Sequence, residues 1–397
     1  IDVKLNDENQ TISGFETITY VNNSPDDLNY LWVQLDQNVR AKDSDSYKIS
    51  TGKMRNKLNF SSMKPGYIYG DKDAFDILND FDGGFNIEEV VTIDGRKLNY
   101  TINKTMMRID LEKPLRSKSK TSISIRWNYK VQDRMFMGGR SGYEFFETDS
   151  NYLYTICQWF PRMAMYNDVY GWQNKQFFGR GEFTLDFGDY DVRITVPADH
   201  IVASTGELQN MMEVLTKEQI DRYKKSKSAN SPLVIISQDE AIKNEKSRSK
   251  KVKTWRYKAK NVRDFAFTSS RKFIWDAMGV KVGDRTIMAM SYYPKEANPL
   301  YERYSTRAVA HTLNVYSKYT FDYPYPVAIS VEAANGMEYP MICFNYGRPQ
   351  KDGTYSERIK YGMISVIIHE VGHNYFPMIV NSDERQWTWM DEGLNSY

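Results

Sequence analysis

The most informative stretch of this chain is His369-Glu370-Val371-Gly372-His373, which Glu392 follows after a gap of eighteen residues. The chain has only four histidines, and two of them lie here, four positions apart with Glu370 between them. On a helix this spacing places both imidazoles on one face, roughly 6 Å apart along the axis. Two imidazoles in that arrangement can bind one zinc ion, which prefers nitrogen, sulfur or carboxylate ligands in a tetrahedron. Glu370 is then placed to act as the base on a water molecule that the zinc activates.

A third ligand is expected from Glu392, in the segment Trp389-Met390-Asp391-Glu392-Gly393. At this distance after the two histidines, Glu392 is predicted to reach the metal from a neighbouring helix. Three protein ligands leave one tetrahedral position open, which is typical of catalytic rather than structural zinc. The sequence therefore predicts one Zn²⁺ per chain, bound by His369, His373 and Glu392, with Glu370 as the general base.

The histidine pair lies on a predicted helix that begins near Ser356. Ser356 is a suitable N-cap, and apolar residues at helical spacing from Ile359 to Ile367 bury one side of the helix. Pro377 ends the helical pattern.

Composition limits the other classes of function. The net charge of +2 gives no general electrostatic argument for binding nucleic acid or an anionic membrane. No uncharged apolar run approaches the length of a spanning helix, so no membrane span is expected. Two cysteines, Cys157 and Cys343, cannot form a disulfide framework and are expected to be buried thiols.

The first part of the chain has the alternating pattern of half-buried β-strands. Apolar residues recur at every second position from Ile123 to Val131 and again from Tyr190 to Val196. We therefore predict an N-terminal all-β domain over residues 1–280, built as an antiparallel saddle or sandwich. A basic excursion at about 206–253 interrupts it, with a short helix predicted over 211–225 and a run of lysines and arginines over 245–253.

From about residue 281 the pattern becomes mixed α/β, with strands expected at 285–292 and 327–331 and a helix at 300–320. The fold class predicted for the whole chain is a multidomain α+β protein. Its second domain, residues 281–397, carries the predicted zinc site.

The zinc motif also carries a family resemblance. The pattern His-Glu-x-x-His, followed by Glu after eighteen residues, resembles that of the gluzincin aminopeptidases. This family includes aminopeptidase N and the leukotriene-forming epoxide hydrolase. Asn374 after the second histidine and the Trp-Met-Asp-Glu-Gly segment around Glu392 are similar to that family as well. The resemblance implies a β domain before a thermolysin-like catalytic domain, and a zinc-dependent aminopeptidase that hydrolyses the N-terminal peptide bond.

A second motif of that family is similar to Asn335-Gly336-Met337-Glu338-Tyr339. The family pattern is Gly-x-Met-Glu-Asn, so Asn335 and Tyr339 depart from it while Met337 and Glu338 match. The resemblance implies that Gly336, Met337 and Glu338 lie on the substrate-binding strand. An exposed strand edge can pair with a peptide, and the carboxylate of Glu338 would hold the free α-amine of the substrate.

A third segment, Ile156-Cys157-Gln158-Trp159-Phe160-Pro161-Arg162, resembles the part of the family's β domain that reaches the same amine. By this resemblance Gln158 is a second amine contact. Its neutral amide can accept one hydrogen bond from the ammonium group without adding charge.

The resemblance also implies what lies outside this sequence. The family's oxyanion-stabilising tyrosine lies several dozen residues after the third zinc ligand, whereas this sequence ends at Tyr397. We therefore expect a missing C-terminal segment of the same protein, with the catalytic domain incomplete without it. Peptides with a free N-terminus are the expected partners, and an exported or periplasmic bacterial enzyme is favoured over a cytoplasmic one.

Two alternative functions stay open at this point. Another zinc hydrolase of the same fold, either an endopeptidase or an epoxide hydrolase, would use the same metal ligands. A zinc-bearing scaffold without turnover would keep the fold, although it would have no need to retain Glu370.

Overall fold

The computed structural model describes residues 1–49 and 81–397 and shows an α+β protein, which confirms that part of the predicted fold class. The part of the predicted N-terminal domain that spans residues 50–80 lies outside the described residues. No helix in the described parts of the chain is both long and apolar enough to cross a membrane. Cys157 and Cys343 are both buried and free, as predicted.

The described helices are few compared with the strands. In chain order they are α1 (Asp45–Ile49), α2 (Arg134–Met137), α3 (Met211–Val214), α4 (Lys217–Ser226), α5 (Gln238–Ser247), α6 (Leu300–Tyr319), α7 (Glu357–Gly372) and α8 (Glu384–Ser396). Two 3₁₀ turns lie at Asp36–Arg40 and Lys295–Ala297.

The N-terminal strands form one seven-stranded sheet and three smaller sheets. The strands are β1 (Asp2–Asn6), β2 (Thr11–Val21), β3 (Leu28–Gln34), β4 (Asn86–Thr92), β5 (Tyr100–Asn103), β6 (Met106–Leu115), β7 (Lys120–Lys130), β8 (Gly142–Phe146), β9 (Asn151–Ile156), β10 (Arg162–Met163), β11 (Tyr166–Asn167), β12 (Gly171–Trp172), β13 (Gly188–Pro197), β14 (Ile201–Ser204), β15 (Glu207–Leu208), β17 (Val252–Val262) and β18 (Phe267–Ser270). The largest sheet has the order β15-β17-β13-β1-β2-β7-β4, and the others are β10-β3-β6-β5, β14-β18-β9-β8 and β11-β12.

The alternating sequence pattern explains which face of the large sheet is buried. Ile123, Ile125 and Trp127 of β7 are almost completely buried, and Arg126 between them stays partly exposed. In β13, Val192, Ile194 and Val196 are buried in the same way. Because side chains alternate along a strand with a period of two, one side of each strand faces the core, as the sequence predicted.

The excursion after residue 206 contains α3, α4 and α5. The single helix predicted over 211–225 is divided, because Thr216 caps the N-terminus of α4 in a capping box with Gln219. Two cations of the basic run bond within the chain: Lys250 pairs with Glu8, and Lys253 donates to the carbonyl of Val214.

The remaining sheet has six strands, β16 (Leu233–Ile236), β19 (Ile274–Val282), β20 (Arg285–Tyr293), β21 (Val327–Glu332), β22 (Gly336–Tyr339) and β23 (Ile342–Asn345). Their order in the sheet is β16-β19-β20-β21-β23-β22. Helices α6 and α7 pack against each other and onto this sheet. The predicted domain boundary after residue 280 falls inside β19, and the division of the chain into two domains stays a prediction.

Candidate metal and peptide site

Helix α7 begins where the sequence predicted and carries the histidine motif at its end. The hydroxyl of Ser356 accepts a hydrogen bond from the backbone N–H of Ile359, which caps the first turn. His369 and Glu370 lie in the last turn, and His373 follows the helix as its C-cap residue. The helix positions the two imidazoles on one face, as a spacing of four requires.

Helix α8 brings Glu392 to the histidines because it passes very close to the end of α7. A Cβ atom on Gly372 would lie 2.3 Å from Oδ1 of Asn395, a distance that only the absence of a side chain allows. The amide of Asn395 also donates to the carbonyl of His369 at 2.7 Å. These contacts fix α8 against α7, with Glu392 facing the imidazoles.

The three predicted ligands converge on one point. Nε2 of His369 lies 3.1 Å from Nε2 of His373 and 3.1 Å from Oε2 of Glu392. Nε2 of His373 lies 3.7 Å from the same oxygen. Ligand atoms about 2.05 Å from a tetrahedral zinc are ~3.3 Å from one another. The observed separations bracket that value, so this donor set fits zinc.

His373 has a second partner that orients its ring. Its Nδ1 lies 2.9 Å from the carbonyl oxygen of Phe376 and 3.1 Å from Oδ1 of Asp391. Two acceptors at Nδ1 favour the tautomer with the proton on that nitrogen, which leaves the lone pair of Nε2 free for a metal. Histidine ligands of zinc in other proteins are commonly oriented by a carboxylate or carbonyl in this way.

The charge balance of the site also favours a bound cation. Four carboxylates, those of Glu338, Glu370, Asp391 and Glu392, surround the two imidazoles. Burial lowers the pKa of His373, but the carboxylates of Glu338 and Asp391 outweigh burial and raise that pKa to about 10. A divalent cation at the three ligand atoms would replace the proton as the positive charge.

Glu370 is buried beside the ligands and is suited to exchange protons near neutral pH. Burial is the main reason that the pKa of its carboxyl is raised to about 7. Its Oε2 has no hydrogen-bond partner among the described residues. An unpaired, buried carboxylate oxygen next to a metal site is typical of a general base.

Glu338 lies on β22, an edge strand of the six-stranded sheet, on the side that faces the predicted zinc ligands. Gly336 shares that face, and a Cβ atom there would lie 3.0 Å from Oε1 of Glu370. Met337 and Tyr339 alternate with them and are completely buried. Burial, followed by repulsion from nearby Glu370, raises the pKa of Glu338 well above its usual value, while the charge of His373 opposes the shift.

The start of β22 and the residues before it are held by Arg134, the first residue of α2, and by Arg140 in the loop after that helix. Arg134 donates to the carbonyl of Ala334 at 2.9 Å and to that of Ala333. Arg140 donates to the carbonyl of Gly336 at 2.6 Å, and its own carbonyl accepts from the amide of Asn335 at 2.9 Å. Asn335, which departs from the family pattern, therefore helps to fix the start of the strand.

Gln158 contacts this strand through Tyr339. The backbone N–H of Gln158 donates to the hydroxyl of Tyr339 at 2.9 Å, so Gln158 lies beside the residue that follows Glu338. The structure thus brings His369, His373 and Glu392 together, places Glu338 beside His373, and joins the backbone of Gln158 to the same strand, while the roles of these residues stay predictions.

Three functional candidates were missed by the sequence-based reasoning. The role of Asp391 could have been inferred from a carboxylate directly before a metal ligand. Arg134 and Arg140 carry no comparable indication, because their contacts span about 200 positions of the chain.

Comparison with known proteins identifies relatives by structure only. No protein-family model and no curated protein matches the sequence. An M1 zinc metallopeptidase from Deinococcus radiodurans matches with a TM-score of 0.56 and 12% identity, over 100% of this chain and 67% of that one. A mutant M1 zinc metallopeptidase from the same organism, bound to a Tyr-Ser-Ala substrate, matches with a TM-score of 0.54 and 13% identity, over 100% of this chain and 67% of that one. A two-domain M1 zinc metallopeptidase mutant bound to L-arginine matches with a TM-score of 0.55 and 13% identity, again over 100% of this chain and 67% of that one. At this identity the similarity shows that the chain has the same fold.

Proposed function

We propose that this protein is a zinc-dependent aminopeptidase with a thermolysin-like catalytic domain. The observation that carries the proposal is the buried carboxylate of Glu338, on an edge strand beside His373, Asp391 and Glu370. The metal site would account for hydrolysis. The carboxylate of Glu338, which lies at the edge of that site and is not one of the three proposed ligands, would account for selection of a free amine. The substrates bound to similar folds, a Tyr-Ser-Ala peptide in one case, agree with this class.

Each residue then has a distinct task. Zinc, when held by His369, His373 and Glu392, supplies Lewis-acid activation of a water molecule and of the scissile carbonyl. Glu370 takes a proton from the attacking water and passes it to the leaving amine, a role for which its position beside the ligands and its unpaired Oε2 suit it.

Substrate orientation falls to strand β22 and Gln158. The peptide adds along the edge of β22, where backbone groups pair with it. Glu338 and Gln158 hold the α-ammonium, which limits cleavage to the first peptide bond because an internal residue carries no such cation.

The test compares an aminoacyl amide with its N-acetylated form on the zinc-loaded full-length protein. We expect the free-amine substrate to be hydrolysed and acetylation to lower kcat/KM by about 100-fold or more, since the site would then hold a buried carboxylate without its cation. Glu338→Gln should remove most of this discrimination. Glu332→Gln serves as the matched control, because Glu332 is a buried carboxylate of the same sheet that pairs with Arg348 instead.

The alternative functions give different results in the same assay. Equal rates with and without the acetyl group would indicate an endopeptidase and contradict the proposal. Zinc binding without hydrolysis of any aminoacyl amide would indicate a scaffold.

A further inference from the structure

Tyr339 links the strand that carries Glu338 to the loop that carries Gln158. Side chains alternate along β22, so Glu338 faces the zinc ligands while Tyr339 points to the opposite side. There its ring is completely buried against Phe183, in an edge-to-face contact with ring centres 5.1 Å apart. Its hydroxyl accepts the hydrogen bond from the backbone N–H of Gln158. One side chain thus connects the two residues assigned to the substrate amine.

The backbone of Gln158 needs such support. Its φ angle is +54°, a left-handed conformation that residues other than glycine rarely adopt. A conformation of this kind persists where surrounding contacts determine it, and the hydroxyl of Tyr339 provides one at the residue itself.

The side chain of Gln158 has one buried polar atom that the protein leaves unpaired. It is only 6% exposed, yet its Nε2 has no hydrogen-bond partner among the described residues. A buried amide normally has its polar atoms paired, so the unpaired Nε2 is a donor that an acceptor of a ligand, such as a peptide carbonyl oxygen, would complete. The α-ammonium group is itself a donor and would be held by Oε1 of the same amide.

The opposite end of β22 is fixed independently. Arg140 and Arg134 hold the carbonyls of Gly336, Ala334 and Ala333, all before Glu338. With the start of the strand fixed in this way, the contact through Tyr339 sets the distance between the end of the strand and Gln158.

We propose that Tyr339 is a positioning residue that places Gln158 to receive the α-ammonium group of a peptide beside Glu338. The proposal rests on the aminopeptidase function proposed above and deepens it, because it gives a role to a residue that departs from the Gly-x-Met-Glu-Asn pattern. Tyr339 itself does not touch the substrate. Its loss should weaken amine recognition only through Gln158.

A double-mutant cycle tests this on the zinc-loaded, inactive Glu370→Gln chain. The probes are the tripeptide Tyr-Ser-Ala and its N-acetylated form, with affinities measured by titration calorimetry. We expect Tyr339→Phe and Gln158→Ala each to weaken binding of the free tripeptide by about 5- to 20-fold. Combined, they should weaken it no more than either change alone, because both remove the same contact. Binding of the acetylated probe should not change.

Tyr257→Phe is the matched control. Tyr257 is also buried and donates its hydroxyl hydrogen bond to one backbone carbonyl, that of Val202, on a strand away from the zinc ligands. It should lower stability without changing affinity for either probe. Should Tyr339→Phe fail to fold, Phe183→Leu loosens the same ring and should show the same dependence on Gln158.

Two results overturn the inference in distinguishable ways. Additive effects of Tyr339→Phe and Gln158→Ala, or an unchanged affinity in Tyr339→Phe, would reject the positioning role while the aminopeptidase proposal stands. Equal affinity of the parent chain for free and acetylated tripeptide would reject both.

Discussion

At the scale of single residues, Glu370 differs from the carboxylates around it. It lies between the two histidines in sequence but outside the groups of side chains that could hold a metal, and one of its oxygens is buried without a partner among the described residues. Gly336 approaches it closely from β22, which leaves no room for a side chain between the strand and the base.

The first prediction concerns this base. Glu370→Gln should retain zinc, because the ligands are unchanged, and should lower kcat for an aminoacyl amide by about 10²- to 10⁴-fold. Zinc content by mass spectrometry and initial rates measure the two effects. A rate equal to that of the parent chain would remove Glu370 from the role of general base.

A second prediction concerns Asp276, a buried carboxyl of β19 that lies 2.8 Å from the hydroxyl of Tyr293 and also contacts Thr306. Burial raises the pKa of Asp276 to about 7. Thr306 donates onward to Ser291 at 2.7 Å, so its oxygen can accept from the protonated acid. The unfolded chain releases this proton near pH 4, whereas the folded chain keeps it to about pH 7.

The sign of the effect follows from this difference. The stabilisation from Asp276 is complete below pH 4 and is lost as the pH rises towards 7. Asp276→Asn should therefore gain stability relative to the parent chain between pH 5 and pH 8, by a few kcal/mol at most. Urea denaturation midpoints at both pH values measure it, and a difference independent of pH would contradict the assignment.

At the scale of elements, the metal site depends on how two helices meet. Helix α7 presents His369 and His373 on one face, and α8 supplies Glu392 together with Asp391, which orients His373. The helix spacing of four was visible in the sequence because it is a local property. The approach of α8 across Gly372 was not, because it depends on packing between separate helices.

The third prediction tests the orienting role of Asp391. Asp391→Asn should weaken zinc binding by about 10- to 100-fold, since the imidazole of His373 loses a charged partner. Competition with a chromophoric chelator measures the affinity. Asp383→Asn, a change of the same kind just before α8, should leave it unaltered; a similar loss in both variants would point to helix stability instead.

At the scale of the whole molecule, residues far apart in the chain meet at the site. Gln158 and Arg140 come from the N-terminal β region, Glu338 from the six-stranded sheet, and the ligands from α7 and α8. The M1 zinc metallopeptidases that share this fold are longer, with 67% of their chains matched here.

The fourth prediction concerns the metal and stability. Because zinc would bind the folded chain at ligands from two helices, its removal should lower the melting temperature. At a free zinc concentration of 100 times Kd the stabilisation is about 2.7 kcal/mol. Thermal unfolding before and after EDTA, with zinc added back, measures it.

The Glu370→Gln variant should respond to EDTA like the parent chain, and His369→Ala should not respond. An unchanged melting temperature of the zinc-loaded parent after chelation would contradict a zinc site shared by α7 and α8.

The sequence alone determined the features that depend on local spacing. Strand alternation in β7 and β13 and the spacing of the histidine pair follow from periods of 2 and 3.6 residues. The Ser356 cap follows from a side chain that reaches the backbone three residues later, so all of these features act over a few positions. Only the tertiary structure decided the contact between Tyr339 and Gln158, the hold of Arg134 and Arg140 on β22, and the second partner of His373. The first two join segments about 180 to 200 positions apart, and the third depends on how α8 docks against α7; none of them follows a period that the sequence displays.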